Sequence, residues 1–239
     1  DSLRMRALAR SLGGDLGIME GMRISVLGAF VSNVTPFDTG GEPLQAYLLT
    51  SKGLTAGQST AVIAVKAIMN AFARVSLGFA ASAALLFSRT EWSLPLGMNI
   101  ALAVGMALYV SVFLLSLYLI LRPDKIRVLV VPAVRNRFTL RFFKPETLQA
   151  VLDRIDHELR AFREALQEFV SNRKPVLVAV LILSYAAWVA TALVPAVVLT
   201  GLGLKTPYVH AMGVTIIFYL AAAYAPTPRS SGAAELGFA

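Results

Sequence analysis

The sequence predicts an all-α polytopic membrane protein: a helical bundle with two re-entrant or broken-helix elements and an internal repeat. Three observations carry this prediction. Hydrophobic residues make up 56% of the chain and charged residues only 15%, whereas soluble domains are about 25% charged. Four apolar runs are each near the roughly 20 residues needed to cross a hydrocarbon core. Two distant turns have related sequences.

The composition also excludes several kinds of site. The 239 residues include no cysteine, so a disulfide, a thiol nucleophile and a cysteine-ligated metal are all excluded. Two histidines are too few for a multi-histidine metal centre. We therefore expect neither a metal nor another cofactor.

The first 22 residues form a basic segment that lacks the continuous apolar core of a signal peptide. Leu3, Met5, Leu8 and Leu12 follow helical spacing, which favours a juxtamembrane helix lying on the membrane interface. A frayed linker is the alternative, and the sequence leaves both open.

The apolar runs define two membrane halves, residues 23–121 and 175–239. The four runs cover residues 57–88, 94–121, 176–204 and 207–225. A fifth run, residues 24–34, is too short to span and ends at a Thr-Pro pair followed by Gly-Gly. Such a stretch is typical of a re-entrant or broken helix, which a bilayer tolerates where protein or a polar cavity surrounds it. We assign residues 24–50 to this re-entrant element.

A polar insert, residues 122–174, separates the two halves. It holds 12 basic and 7 acidic residues, a net +5 of the chain's total of +8, and the positive-inside rule therefore predicts that it is cytoplasmic. Apolar residues recur in it at steps of three and four, which predicts an amphipathic helix of about 25 residues. Its apolar face packs on the membrane or the bundle, or else binds a partner. The recurring residues are Leu148, Leu152, Ile155, Leu159, Phe162, Leu166 and Phe169.

Polar residues interrupt the first long run at helical spacing. Lys66, Asn70 and Arg74 are four residues apart, so they form one stripe about 12 Å long on a single helix face. A charge inside a membrane helix costs about 2.5–3.5 kcal/mol on insertion scales and usually faces a cavity or a partner. The alternative is that Lys66 extends to the cytoplasmic interface and that only Arg74 is deep.

The two related turns follow apolar stretches at residues 35–43 and 226–235. Each has Thr-Pro, then small residues with glycine, then a glutamate opening a helix-like segment, where the helix dipole favours a carboxylate. Such a pair suggests internal duplication, with a site at the repeat interface. Two ordinary loops capped by glutamate are the alternative. The turn-forming residues are Pro36, Gly40, Gly41, Pro226, Pro228 and Gly232.

Charged residues of the turns and of the stripe would together form a buried network. The basic groups would bind the phosphate of a phospholipid head group, and the acidic groups would bind an amine. The expected substrate-binding residues are Asp38, Glu42, Lys66, Asn70, Arg74, Arg229 and Glu235.

These motifs also carry a family resemblance. The stretch from Asn33 to Leu49, NVTPFDTGGEPLQAYLL, followed by Lys52-Gly-Leu-Thr, resembles the first signature of the lysylphosphatidylglycerol synthase transmembrane, or flippase-like, family. Pro226-Thr-Pro-x-x-x-Gly-Ala-Ala-Glu-Leu-Gly resembles its second signature. The resemblance implies a polytopic membrane protein. In multiple peptide resistance factors this region moves aminoacylated phosphatidylglycerol between leaflets, and a separate soluble domain attaches lysine from a charged transfer RNA.

The chain departs from the family pattern in three ways. No segment of these 239 residues is long or polar enough to be the soluble synthase domain. Arg229-Ser230-Ser231 stands where a glycine-rich stretch is expected. The family's first and last membrane helices are also missing, so we expect this chain to be a piece of a longer protein.

The leading interpretation is a multi-pass lipid translocase of the cell membrane that moves a phospholipid, such as aminoacylated phosphatidylglycerol, through a polar cavity. No ATP-binding loop of the Walker type is present, and no catalytic residue is assigned. The alternatives are an intramembrane enzyme acting on a lipid phosphate or an aminoacyl lipid, and a non-catalytic membrane subunit. The expected partner is a phospholipid rather than nucleic acid. A homo-oligomer and a partner synthase both remain open.

Overall fold

A computed structural model describes residues 1–35, 39–87, 96–121, 145–204 and 207–222. These residues form eight helices and no strands, which confirms the predicted all-α fold. The helices are α1 (Ser2–Ser11), α2 (Ile18–Val34), α3 (Gly41–Thr50), α4 (Ala56–Phe87), α5 (Leu96–Leu121), α6 (Pro145–Ser171), α7 (Lys174–Gly201) and α8 (Tyr208–Ala222).

The four long apolar runs correspond to α4, α5, α7 and α8. Within the described residues, two segments are long and apolar enough to cross a membrane: Ala56–Ala83 in α4 and Lys174–Gly201 in α7. Helix α4 is central, since α1, α3, α5, α6, α7 and α8 all pack against it. Many side chains of α7 are apolar and exposed, Ile182 and Val194 among them, as expected where lipid replaces water as the solvent.

The described part of the insert is the amphipathic helix α6. Its apolar face packs on the bundle, with Phe162, Ala165 and Phe169 buried in the same core as Val62 of α4. At the start of α4, the backbone N–H of Gly57 donates to Glu158 Oε2 at 2.6 Å. Of the alternatives for this face, the structure shows the one in which it packs on the bundle. Residues 122–144 of the insert lie outside the described residues.

Helix α1 lies within the fold. Met5 and Leu8 are fully buried in the core, and the helix packs against α2, α4 and α7. Residues 2–11 thus form a helix, as the spacing of their apolar residues predicts, and other helices bury its apolar stripe. Its position at the membrane interface stays a prediction.

Helices α2 and α3 form an antiparallel hairpin in the region predicted to be re-entrant. Lys52, just after α3, pairs with Glu20 in the first turn of α2, and Gln45 of α3 lies against Gly28 midway along α2. Helix α2 begins at Ile18, six residues before the predicted element, because Glu20 caps its start by accepting the Gly17 N–H at 3.1 Å. The second predicted turn, residues 226–235, lies outside the described residues, so the internal repeat stays a prediction.

Candidate functional site

A polar pocket of about 410 Å³ lies between the start of α1, the α2–α3 hairpin and α4. Its size is within the range of about 300–1,000 Å³ that is usual for small-molecule sites. Polar and small side chains line it, in a bundle that is otherwise apolar. The lining residues are Asp1, Ser25, Gly28, Ala29, Ser32, Asn33, Gly41, Glu42, Gln45, Lys66, Ala67 and Asn70.

Lys66 is the buried cation of this pocket, with only 6% of its surface exposed. Its ammonium donates to Gln45 Oε1 and, at 3.1 Å, to Asp1 Oδ2. Because a buried charge is costly unless it is paired and hydrogen-bonded, these two acceptors are what make this position tolerable. The side chain therefore points into the protein, not along α4 to an interface.

Arg4 of α1 supplies a second cation beside the pocket. Its guanidinium donates to Asp1 Oδ1 at 3.2 Å, to Asn70 Oδ1 at 2.9 Å and to Ser184 Oγ of α7 at 3.1 Å. Burial lowers the pKa of Arg4 below its usual value, but a guanidinium starts so high that it stays protonated. Arg4 and Lys66 thus converge on one carboxylate from two helices.

Arg74 lies two turns beyond Lys66 on α4, next to aromatic side chains. Its Cζ is 4.2 Å from the ring centroid of Trp188 on α7 and 5.2 Å from that of Tyr109 on α5. These distances are those of cation–π contacts, which offset part of the cost of burying a guanidinium. The indole N–H of Trp188 also donates to Asn70 Oδ1 at 3.1 Å, which connects Arg74 to the pocket wall.

The turn between α2 and α3 brings Glu42 to the pocket. Thr35 Oγ1 accepts the backbone N–H of Gly40 at 3.0 Å and itself donates to Val31 O at 2.9 Å, so this hydroxyl closes the end of α2. A Cβ on Gly41 would collide with the carbonyl oxygen of Gly28, so glycine is required where the two helices touch. Glu42, in the first turn of α3, keeps its side chain exposed to the pocket.

The structure brings Glu42, Lys66 and Asn70 together in one pocket, and Arg74 reaches it through Trp188. The turn glycines Gly40 and Gly41 lie at the hairpin beside it. The remaining predicted residues lie outside the described residues: Asp38, Arg229 and Glu235 of the binding set, and Pro36, Pro226, Pro228 and Gly232 of the turns.

Sequence reasoning does not identify several residues that line the pocket or contact its charged groups: Asp1, Arg4, Gln45, Tyr109, Ser184 and Trp188. In the sequence, Arg4 is one of the charges of a basic segment, and no local pattern indicates that this helix of ten residues enters the core. Gln45 did carry a signal, since it is a polar residue in the middle of the first signature. Trp188 and Ser184 are one turn apart in an uncharged run, a spacing that could have marked a polar face on α7.

Among the described residues, the charges near the pocket sum to a small positive value. Three cations, Arg4, Lys66 and Arg74, lie near two carboxylates, Asp1 and Glu42. Asp1 is paired with both Arg4 and Lys66, whereas Glu42 is exposed. In the described part of the chain, no cluster of three or more His, Cys, Asp or Glu side chains is placed to hold a metal ion. The pocket is suited to bind an oxyanion and an amine by hydrogen bonds and charge.

Comparison with known proteins identifies the family and a relative. The family model described as "Lysylphosphatidylglycerol synthase TM region" matches residues 1–239. A UPF0104 membrane protein of Archaeoglobus fulgidus is 25% identical over 245 residues, an alignment that covers all of this chain and 70% of the relative. No solved structure matches.

Proposed function

The chain belongs to the family of the lysylphosphatidylglycerol synthase TM region and is a membrane protein, and on that premise we propose that it is a lipid translocase. The polar pocket would bind the head group of a phospholipid, such as aminoacylated phosphatidylglycerol, while the lipid moves between leaflets. The observation that carries the proposal is the convergence of Arg4 and Lys66 on one carboxylate in a pocket within an apolar bundle.

This convergence supports binding of a phosphate. Two cations that hold a carboxylate at 3.1 and 3.2 Å present donors at the spacing that phosphate oxygens also need. Glu42 gives the pocket an exposed carboxylate at its rim, where it would bind an ammonium. The same pocket would therefore bind both charges of an aminoacylated lipid.

Passage of a head group also requires that the protein replace the water around it. A charged group at the centre of a bilayer is expensive, and side chains that face a polar cavity lower that cost. Lys66 and Asn70 lie along the pocket side of α4, and Arg74 follows farther along the same helix. A head group that passed along α4 would meet a new polar contact at each turn.

A leaflet-resolved transport assay tests the proposal. Proteoliposomes with the full chain would carry tail-labelled phosphatidylglycerol or its aminoacylated form, and an impermeant quencher would report the outer leaflet. We expect Lys66→Met to slow exchange between leaflets about tenfold or more, the effect of losing a charge-assisted hydrogen bond. Arg10→Gln, which removes an exposed cation of α1, is the matched control and should leave the rate unchanged.

The same samples separate the alternatives. Release of phosphate or transfer of an aminoacyl group by the purified chain would favour the intramembrane enzyme. Lipid movement that starts only after a second protein is added would favour the non-catalytic subunit. Equal rates for liposomes with and without the chain, with either lipid and with the fold intact by circular dichroism, would refute the translocase.

A further inference from the structure

An apolar groove adjoins the polar pocket. It encloses about 710 Å³ between α3, α4 and α5, and its walls are mostly apolar, with Ala46, Tyr47 and Ile63 among them. Glu42 and Ala67 line both the groove and the pocket, so the two hollows meet at the first turn of α3. The charged pocket therefore opens directly onto a groove whose walls are mostly apolar.

The groove continues along α4 to α6. A further cavity of about 550 Å³ lies between α4, α5 and α6, and it shares four lining residues with the groove: Ala56, Thr60, Ala64 and Ile120. On α4 the shared residues recur every four positions, so they form one face of small side chains. From Ala67 to Ala56 this face is about 17 Å long, close to half of a hydrocarbon core about 30 Å thick.

We propose that this groove binds one acyl chain of the lipid whose head group occupies the polar pocket, an inference that rests on the proposed function. An acyl chain fits because the groove is mostly apolar and about one leaflet long, and because it begins where the charged pocket ends. A helix of a second copy is a poor fit, since its apolar surface would meet the charge of Glu42. Small side chains on α4 provide depth, and Leu159 and Phe162 of α6 form the far wall.

Helix α6 packs closely on α4 at the far end of the groove. Gly57 allows the α6 backbone to approach α4 closely, because a Cβ there would lie 2.8 Å from Phe162 N and would also meet Glu158 O. Arg154 and Glu158 line the same end of the groove. The apolar surface ends at these two charged side chains. An acyl chain longer than the groove would therefore have to bend away from α6.

Photocrosslinking tests this assignment in proteoliposomes of the full chain. The probe is phosphatidylglycerol with a diazirine in one acyl chain, and peptide mass spectrometry locates the adducts. We expect adducts between residues 56 and 67 of α4 and around Ile120. Ala64→Phe should reduce them about tenfold, the effect of displacing roughly two methylene groups from an apolar site. Ala64→Leu, a smaller change, guards against misfolding and should give a partial loss.

Ala80→Phe is the matched control, since it adds the same ring to an exposed position of the same helix and should leave the adducts unchanged. Adducts found only on outward residues such as Phe30 and Phe79, and insensitive to Ala64→Phe, would overturn the groove. A second probe with its diazirine on the head group reports the polar pocket separately. If groove adducts persist but Lys66→Met leaves transport unchanged, the groove stands and the head-group site fails.

Discussion

Trp188 and Asn70 are joined by a hydrogen bond of 3.1 Å from the indole N–H to the amide oxygen, which links α7 to α4. The same oxygen accepts from Arg4 of α1 at 2.9 Å, so one side chain of α4 connects three helices. The face of the Trp188 indole lies under the Arg74 guanidinium, whose Cζ is 4.2 Å from the ring centroid. Trp188 therefore combines two interactions that substitution can separate.

We predict a graded loss of stability at Trp188. Trp188→Phe keeps an aromatic face for Arg74 but loses the N–H donor and part of the ring volume, so the expected cost is about 1–2 kcal/mol. Trp188→Leu loses both interactions and should cost about 1–2 kcal/mol more. Thermal unfolding in detergent, followed by circular dichroism, measures both. Phe30→Leu, at an exposed position of α2, is the control, and equal effects of the two Trp188 variants would contradict a contribution from Arg74.

The α2–α3 contact predicts that two glycines differ in how they couple to Gln45. A Cβ on Gly28 would meet the flexible Gln45 side chain, with Cγ at 2.7 Å, whereas a Cβ on Gly41 would meet the backbone of Gly28. Each change to alanine should destabilise the hairpin by about 1–3 kcal/mol. Gln45→Ala alone removes an acceptor of the Lys66 ammonium, so its cost is compared between backgrounds. It should cost less stability in Gly28→Ala than in the wild type, but no less in Gly41→Ala.

Gly201→Ala is the matched control for both, because no atom of the described residues lies within 4 Å of a Cβ there. Denaturation midpoints of the four variants and the double mutants decide the matter. A smaller cost of Gln45→Ala in Gly41→Ala than in the wild type would show that the backbone contact is not what limits this position.

The Glu20–Lys52 ion pair predicts a dependence of stability on acid. The hydrogen bond from Lys52, followed by that from the Gly17 N–H, lowers the pKa of Glu20 below its usual value of 4.5. Since the folded-state pKa lies below the unfolded one, the stabilisation is present above the unfolded pKa and disappears as the pH falls through the folded pKa. Melting temperatures between pH 7 and pH 3 should therefore decline less steeply for Glu20→Gln than for the wild type. Parallel curves would contradict the linkage.

The hydrogen bond from Gly57 to Glu158 predicts that α6 stays docked without the negative charge of residue 158, provided that a side-chain oxygen remains to accept the bond. Glu158→Gln keeps an oxygen for the Gly57 N–H, so α6 should stay docked. Glu158→Ala leaves the N–H without this acceptor and should cost about 1 kcal/mol, as for other helix caps. Hydrogen exchange of α6 reports the docking, and faster exchange in Glu158→Gln than in Glu158→Ala would refute this assignment.

The long helices could be predicted from the sequence because each is encoded by the apolar residues of its own segment. The run of residues 94–121 predicted α5, which begins at Leu96 and ends at Leu121, and the run of residues 176–204 predicted α7. Amphipathic spacing predicted α6 within the insert for the same reason. Each of these elements is set by the apolar content or period of its own residues.

Only part of the polar pocket could be predicted from the sequence. The spacing of Lys66 and Asn70 placed both on one face of α4, and the signature turn singled out Glu42. That these three share a pocket depends on how the α2–α3 hairpin packs on α4, which no local pattern specifies. Ser184 and Trp188 of α7 escaped notice because single polar residues in a long apolar run are common.

The sequence alone therefore determined an all-α membrane protein of the lysylphosphatidylglycerol synthase TM family, with its long helices and its charged insert, since apolar length and composition act residue by residue. The tertiary structure decided where the buried charges are neutralised. Arg4 donates hydrogen bonds to Asn70 and Ser184, which lie 66 and 180 positions farther along the sequence. Such contacts form only when the packing of whole helices brings their polar faces together. The free energy of a buried charge depends on those partners, and hence the site is a property of the packed bundle.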